Sequence, residues 1–115
     1  MDVRDTPLRS VEEDATLRRI VDTIVEALDP EQVILFGSRA RGDDTAHSDY
    51  DLCVIAESDR SYHDRNAEAR RLVAGEGISP DVFVLTPEEY AAQRQVVNTL
   101  GFYVYRDGDV LYERP

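Results

Sequence analysis

Residues Gly37 to Val54 read GSRARGDDTAHSDYDLCV, and the two ends of this stretch decide how the chain is organised. Just upstream, Val33-Ile34-Leu35-Phe36 is a short apolar run that stops at Gly37, the pattern of a strand buried on both faces. Downstream, Asp49 to Ala56 reads as a second strand, with Leu52, Val54 and Ile55 supplying its bulk. Asp49 and Asp51 stand two apart at the start of that strand. Their side chains therefore leave the same face, with Cα atoms roughly 6.5–7 Å apart. Two such charges repel, by about 4 kcal/mol at 4 Å separation and an effective dielectric of 20. Protonation of one, solvation of both, or a cation between them would relieve the repulsion.

Working outward, Asp81-Val82-Phe83-Val84-Leu85 predicts a third strand that again opens on an acid. For Ser38, after the first strand, to meet Asp49, at the start of the second, those two strands must run antiparallel. Asp81 joins them only if the third strand is parallel to the second, with a helix over about 60–74 as the crossover. The expectation is an α/β fold (α+β in its segregation), a small mixed sheet with helices packed on it. One end of that sheet then gathers three carboxylates and the Gly37-Ser38 turn. A glycine lets backbone approach a ligand closely, and turn amides and a serine hydroxyl hold phosphate oxygens. Arg39 and Arg41 place guanidinium groups nearby, and Arg41 is the candidate phosphate contact. Oxygen-only ligands on a rigid strand suit Mg²⁺, which binds a few carboxylates and leaves other positions to water and phosphate.

The remaining sequence supports this core. At 115 residues the chain holds one domain, and a domain of that size buries roughly two-thirds of its unfolded surface. Residues 1–9 read as a loose lead-in. Ser10-Val11-Glu12-Glu13 fits a capping box, and Leu17, Ile20, Val21, Ile24, Val25 and Leu28 share one face of a helix over 10–28. Asp29-Pro30 stops it. In the 60–74 helix the apolar stripe is thin, Tyr62, Ala69, Leu72 and Val73, and Gly75 and Gly77 end it. Thr86-Pro87-Glu88-Glu89 opens a C-terminal helix within 86–115, capped at Thr86; Gly101 leaves its far end open. Tyr103, Tyr105 and Tyr112 alternate with apolar residues and are expected to pack on the sheet. Asp107-Gly108 predicts a turn into a short edge strand. Cys53 reads as a buried core thiol, and His47 and His63 as solvated.

The net charge of −11 disfavours direct binding to a nucleic-acid backbone. The sequence holds no apolar run of membrane-spanning length and opens without the layout of a secretion signal, so a cytoplasmic location is expected.

Gly37-Ser38, ten residues, then Asp49-Tyr50-Asp51 resembles the signature of the polymerase-β-like nucleotidyltransferases. It is most similar to the minimal nucleotidyltransferases that act as antitoxins beside HEPN-domain toxins. The order of elements extends the resemblance from Val33 to Leu85, and YRDGDVLYE near the C-terminus is similar to that family's ending. The resemblance implies a catalytic core over 33–85 and nucleotide binding by Gly37, Ser38 and Arg41. It implies metal binding by Asp49, Asp51 and Asp81, with Asp81 also helping to activate the acceptor hydroxyl. The implied cofactor is Mg²⁺, as two ions, with ATP as substrate and AMP as the transferred group. With no room in 115 residues for an acceptor-binding domain, the expected acceptor is a hydroxyl, such as that of a tyrosine, on a partner, a cognate HEPN-type toxin. Two other readings stay open: a non-catalytic antitoxin acting by contact, and an adenylyltransferase for a small molecule such as an aminoglycoside. Homo- or hetero-oligomers fit either the N-terminal helix or the C-terminal segment as interface.

Overall fold

Apolar residues recurring every three or four positions give the first helix one buried stripe. In this computed structural model the described residues are 11–37, 50–75 and 80–115, with side chains from residue 15 onward. Helix α1 is Val11–Leu28. Ile20 and Ile24 are fully buried and Leu17 nearly so, while Val25 and Leu28 pack partly against the same core. The helix stops as read, at Asp29, which takes φ +47° before Pro30. The expected cap at Ser10 and Glu13 lies outside the described side chains.

Strands β1 (Gln32–Phe36), β2 (Asp51–Ile55), β3 (Asp81–Leu85) and β4 (Asp109–Glu113) form one sheet in the order β3-β2-β1-β4. β1 runs antiparallel to β2 and β4, and β2 runs parallel to β3. Helix α2 (Tyr62–Val73) is the crossover between the parallel pair. The topology is the mixed sheet that the acid positions required. β2 is shorter than the 49–56 expectation, and Asp49 lies outside the described residues.

Alternation along the strands divides the interior into two cores. Val33, Leu35, Leu52, Val54, Val82 and Val84 face α1 and α2. Ile34, Cys53, Ile55 and Leu85 face Tyr90 and Val104, which belong to helices α3 (Pro87–Gln93) and α4 (Leu100–Asp107). The sheet is thus covered on both sides, and Cys53 is buried as expected.

The thin stripe of α2 is corrected at Tyr62, which is exposed; Arg65 and Asn66 are buried in its place. β3 is an edge strand, and the Val84 amide donates to Asn66 Oδ1 at 2.7 Å, so a side chain does what a further strand would. Arg65 donates to Glu89 Oε1 at 2.8 Å, tying α2 to the start of α3. His63 is exposed, as read.

The C-terminal segment also departs from expectation. The single helix expected within 86–115 is two helices. The capping box at Thr86 forms as predicted, but Asn98 turns at φ +71° and Thr99 caps α4 by accepting from the Phe102 amide. The Thr99 hydroxyl also bonds the loose carbonyls of Gln93 (3.0 Å) and Val96 (2.7 Å). Gly101 lies where the two helices meet; a Cβ there would come within 2.5 Å of Gln93 Cβ. Tyr103 and Tyr105 are correspondingly exposed, at 40% and 60%, rather than packed on the sheet. Tyr112 does pack against the core.

Candidate active site

Two buried side chains aim Asp51. Tyr50 and Leu52, on either side of it, both point into the core beneath α1 and α2, so Asp51 must leave from the opposite face. In the sheet register Phe36 pairs with Asp51, and Asp51 with Asp81. Adjacent strands lie about 4.8 Å apart, and partners in register share a face. Asp51 and Asp81 therefore stand side by side on one rim. The Asp81 amide donates to the Tyr50 carbonyl at 2.9 Å, which fastens the start of β3 to the residue preceding β2. Asp51 is half-buried and Asp81 exposed.

Gly37 closes the rim from the other side. It holds φ +80°, and a Cβ on it would stand 2.5 Å from Asp51 Oδ2. Only a residue without a side chain lets this turn lie directly against that carboxylate. Three segments far apart in sequence, the end of β1 and the starts of β2 and β3, thus meet at one point.

The donor chemistry fits a magnesium-bound phosphate. Asp51 and Asp81 offer oxygen alone, and the cradle beside Asp51 is one that a Cβ would fill. Among the described residues no group of three or more His, Cys, Asp or Glu is placed to hold an ion. Ser38, Arg41 and Asp49 lie outside the described residues, as does Arg39. Of the candidates read from sequence, the structure brings together Gly37, Asp51 and Asp81.

Sequence reasoning passed over the neighbours of this rim. Phe36 and Phe83 read as strand core, yet both are only half-buried, and their rings meet with centroids 6.0 Å apart. Arg70 on α2 lies over the Phe83 ring, 5.1 Å from its centroid. The available signal was parity, since Phe83 is two residues beyond Asp81 and shares its face. A cleft of about 490 Å³ lies at the far end of the sheet, where Gln32 and Ile55 pair. It is lined by Tyr90, Arg94 and Arg114 among others, and does not include the acidic rim.

This fold and this rim define a class, and comparison with known proteins agrees with it. A family model described as a nucleotidyltransferase domain matches residues 16–105, a span that contains β1, β2 and β3 and both acids. The chain belongs to the nucleotidyltransferase domain family, polymerase-β-like in fold. Among curated proteins it is similar to protein adenylyltransferase MntA of Aphanizomenon flos-aquae (strain 2012/KM1/D3), 31% identical over 87 residues. The match covers 72% of this chain and 57% of that protein, so the chain spans little more than half of the relative's length. Among solved structures it resembles a Sulfolobus solfataricus protein, determined at 1.40 Å, whose description as a nucleotidyltransferase is itself provisional. That likeness has a TM-score of 0.64 at 25% identity, over 87% of this chain and 79% of the other. Among the described residues no helix is long and apolar enough to cross a membrane.

Proposed function

We propose that this chain transfers AMP from ATP, with Mg²⁺, to a hydroxyl on a partner protein, and that the partner is a HEPN-type toxin which the transfer silences. The observation that carries the transferase reading is the register pair Asp51–Asp81, set against a glycine turn that admits no side chain. The partner follows from the resemblance to minimal nucleotidyltransferases and from the likeness to a protein adenylyltransferase.

Each group has a distinct task. Gly37, with Ser38 and Arg41, holds the triphosphate, through backbone amides, a hydroxyl and a guanidinium. Asp49, Asp51 and Asp81 would hold the ions. Bound there, Mg²⁺ supplies charge neutralisation at the α-phosphate and on the departing pyrophosphate. Asp81, the most accessible acid of the described pair, accepts the proton of the acceptor hydroxyl. The hydroxyl oxygen forms a bond to the α-phosphorus, and the bond from that phosphorus to the bridging oxygen breaks. Pyrophosphate leaves with the electron pair, and AMP stays on the acceptor as a phosphodiester.

The test is to incubate the protein with Mg²⁺, α-labelled ATP and a HEPN-domain protein encoded beside it. Label should appear on that partner in a Mg²⁺-dependent way and should relieve its toxicity. Label that stays off the partner would remove the partner assignment. An Asp51→Asn variant that still neutralised the toxin would favour inhibition by contact alone.

A further inference from the structure

Exposed apolar side chains are ordinary when scattered and informative when they gather. Among the described residues six large ones are exposed, and four of them, Val96, Val97, Tyr103 and Tyr105, fall within ten positions on the hairpin of α3 and α4. The turn between the helices is an unexpected place for two adjacent valines, 52% and 62% exposed, since solvated turns favour Gly, Asn, Asp and Ser. It is also fixed. The Tyr103 hydroxyl donates to Asn98 Oδ1 at 2.9 Å, and the Gly101 amide donates to Gln93 Oε1 at 2.8 Å. With Thr99 bonding two more carbonyls of the turn, the valines are held in water by the hairpin's own hydrogen bonds.

The charge of this surface also departs from that of the chain. Tyr90 to Arg106 is the longest stretch without Asp or Glu in a sequence that holds 24 acids, and it carries two arginines. Arg106 pairs with Asp107, just beyond the stretch. Arg94 makes no ion pair among the described residues. Its guanidinium rests over the rings of Tyr90 and Tyr105, at 5.7 and 5.1 Å. Such stacking recurs at Arg70 and Arg106, so it orients Arg94 without marking it out. Glu31 and Glu113 line the same cleft as Arg94, yet neither pairs with it. The hairpin thus offers exposed apolar area beside a guanidinium that lacks a carboxylate.

Two occupants compete for it. A two-fold contact between copies would lay this stretch on itself, and the stretch has no carboxylate to give Arg94; each copy also carries a charge of −11. A different protein can bring what is missing. α3 and α4 cover the face of the sheet on which Asp51 and Asp81 stand. A protein seated on the hairpin therefore lies on the side where the acids are.

We propose that the α3–α4 hairpin, from Arg94 to Arg106, docks the protein that receives AMP, with an apolar segment of that protein on Val96, Val97 and Tyr105 and a carboxylate on Arg94. This inference rests on the reading above that the acceptor belongs to a partner. Tyrosine and arginine beside small apolar contacts are the composition from which interfaces draw most of their affinity. The hairpin then sets affinity for the partner and leaves nucleotide binding to the rim.

The test measures, by titration calorimetry, binding of the HEPN-domain protein encoded beside the chain to four forms. These are the wild type, Arg94→Glu, the double change Val96→Ser with Val97→Ser, and Arg18→Glu, an exposed change on α1 across the sheet. Circular dichroism and MgATP binding are recorded on the same samples. Arg94→Glu and the double variant should each raise the partner Kd at least about tenfold, as loss of a hot-spot side chain does. Their MgATP affinity should not change, and Arg18→Glu should match the wild type throughout. Unaltered partner affinity in both hairpin variants would overturn the proposal and leave the partner reading in place. Equal weakening by Arg18→Glu would overturn it too, because overall charge alone would then explain the effect. A loss confined to MgATP affinity would give the hairpin to the nucleotide. A wild type that self-associates, with the double variant monomeric, would give it to a second copy. A wild type that does not bind this protein defeats the partner reading, and the proposal with it.

Discussion

Gly37 and Asp51 touch, and that contact makes a sharp prediction about one methyl group. Gly37→Ala forces a left-handed residue to carry a Cβ, at about 1–2 kcal/mol, and drives that Cβ onto the Asp51 carboxylate. Pyrophosphate release should fall far more than stability does, since the end of the Asp51 side chain can swing aside at little cost in stability but then leaves its place at the rim. Asp51→Asn and Asp81→Asn should each lower turnover by about 10²–10³-fold, or about 3–4 kcal/mol, as for removal of one electrostatic stabiliser. Circular dichroism should stay unchanged for both, because neither side chain lies in the apolar core. Cys53 makes a different prediction. Burial pushes its thiol up from 9.0 to about 12. The unfolded chain therefore loses that proton first, and the stability the neutral thiol confers is intact below pH 9 and is lost as pH rises towards 12. The loss is about 4 kcal/mol at most, at 1.36 kcal/mol per unit. Urea midpoints for Cys53→Ala should fall less steeply over that alkaline window than those of the wild type. Asp51 and Asp81 were legible in the sequence because acids opening apolar strands are conspicuous. Phe83 and Arg70 were not, since one reads as core and the other as an ordinary surface charge until the strands are set side by side.

At the level of elements, the junction of α2 and α3 depends on one carboxylate with two duties. Glu89 Oε1 accepts from the Thr86 amide and from Arg65 Nη2, each at 2.8 Å. Partial burial works against its charge, but hydrogen bonds from Thr86 and Arg65 together outweigh this and hold its carboxyl below the ordinary 4.5. Its contribution to stability is therefore present above pH 4.5 and is lost as pH falls below. Thr86→Ala removes one cap, an effect of about 1–2 kcal/mol. Glu89→Ala should cost more than that, because it also strands the buried Arg65 guanidinium without its counter-charge. Denaturant titrations of the two variants at pH 7 check the order, and Glu89→Gln should flatten the acid limb. The box at Thr86 was readable from four letters of sequence because its partners are local. The break between α3 and α4 was not, because Thr99 satisfies carbonyls that only the folded turn leaves open, and Gly101 is explained only by the approach of Gln93. The aromatic alternation at Tyr103 and Tyr105 misled for a related reason: on a helix those positions share no sheet-facing side, and both reach solvent.

Across the whole molecule, topology was readable from chemistry more than from propensity. Only an antiparallel β1–β2 pair and a parallel β2–β3 pair bring the Gly37 turn, Asp51 and Asp81 to one rim, and that is the sheet observed. The surplus of acid acts at this scale too. A net charge of −11 repels itself in the compact state, and screening at about 0.15 M salt shortens the Debye length to about 8 Å. Raising salt from low ionic strength to that level should increase Tm by a few degrees in a thermal melt; a decrease would mean that local ion pairs such as Arg65–Glu89 outweigh the global repulsion.

The proposal that Gly37, Asp51 and Asp81 meet around a metal-bound triphosphate is tested most directly by anomalous diffraction from crystals grown with Mn²⁺ and a non-hydrolysable ATP analogue. Manganese peaks should fall within bonding distance of the Asp51 and Asp81 carboxylates, with the triphosphate against the Gly37 turn. Peaks or nucleotide bound elsewhere, for instance in the cleft lined by Tyr90 and Arg94, would contradict the account.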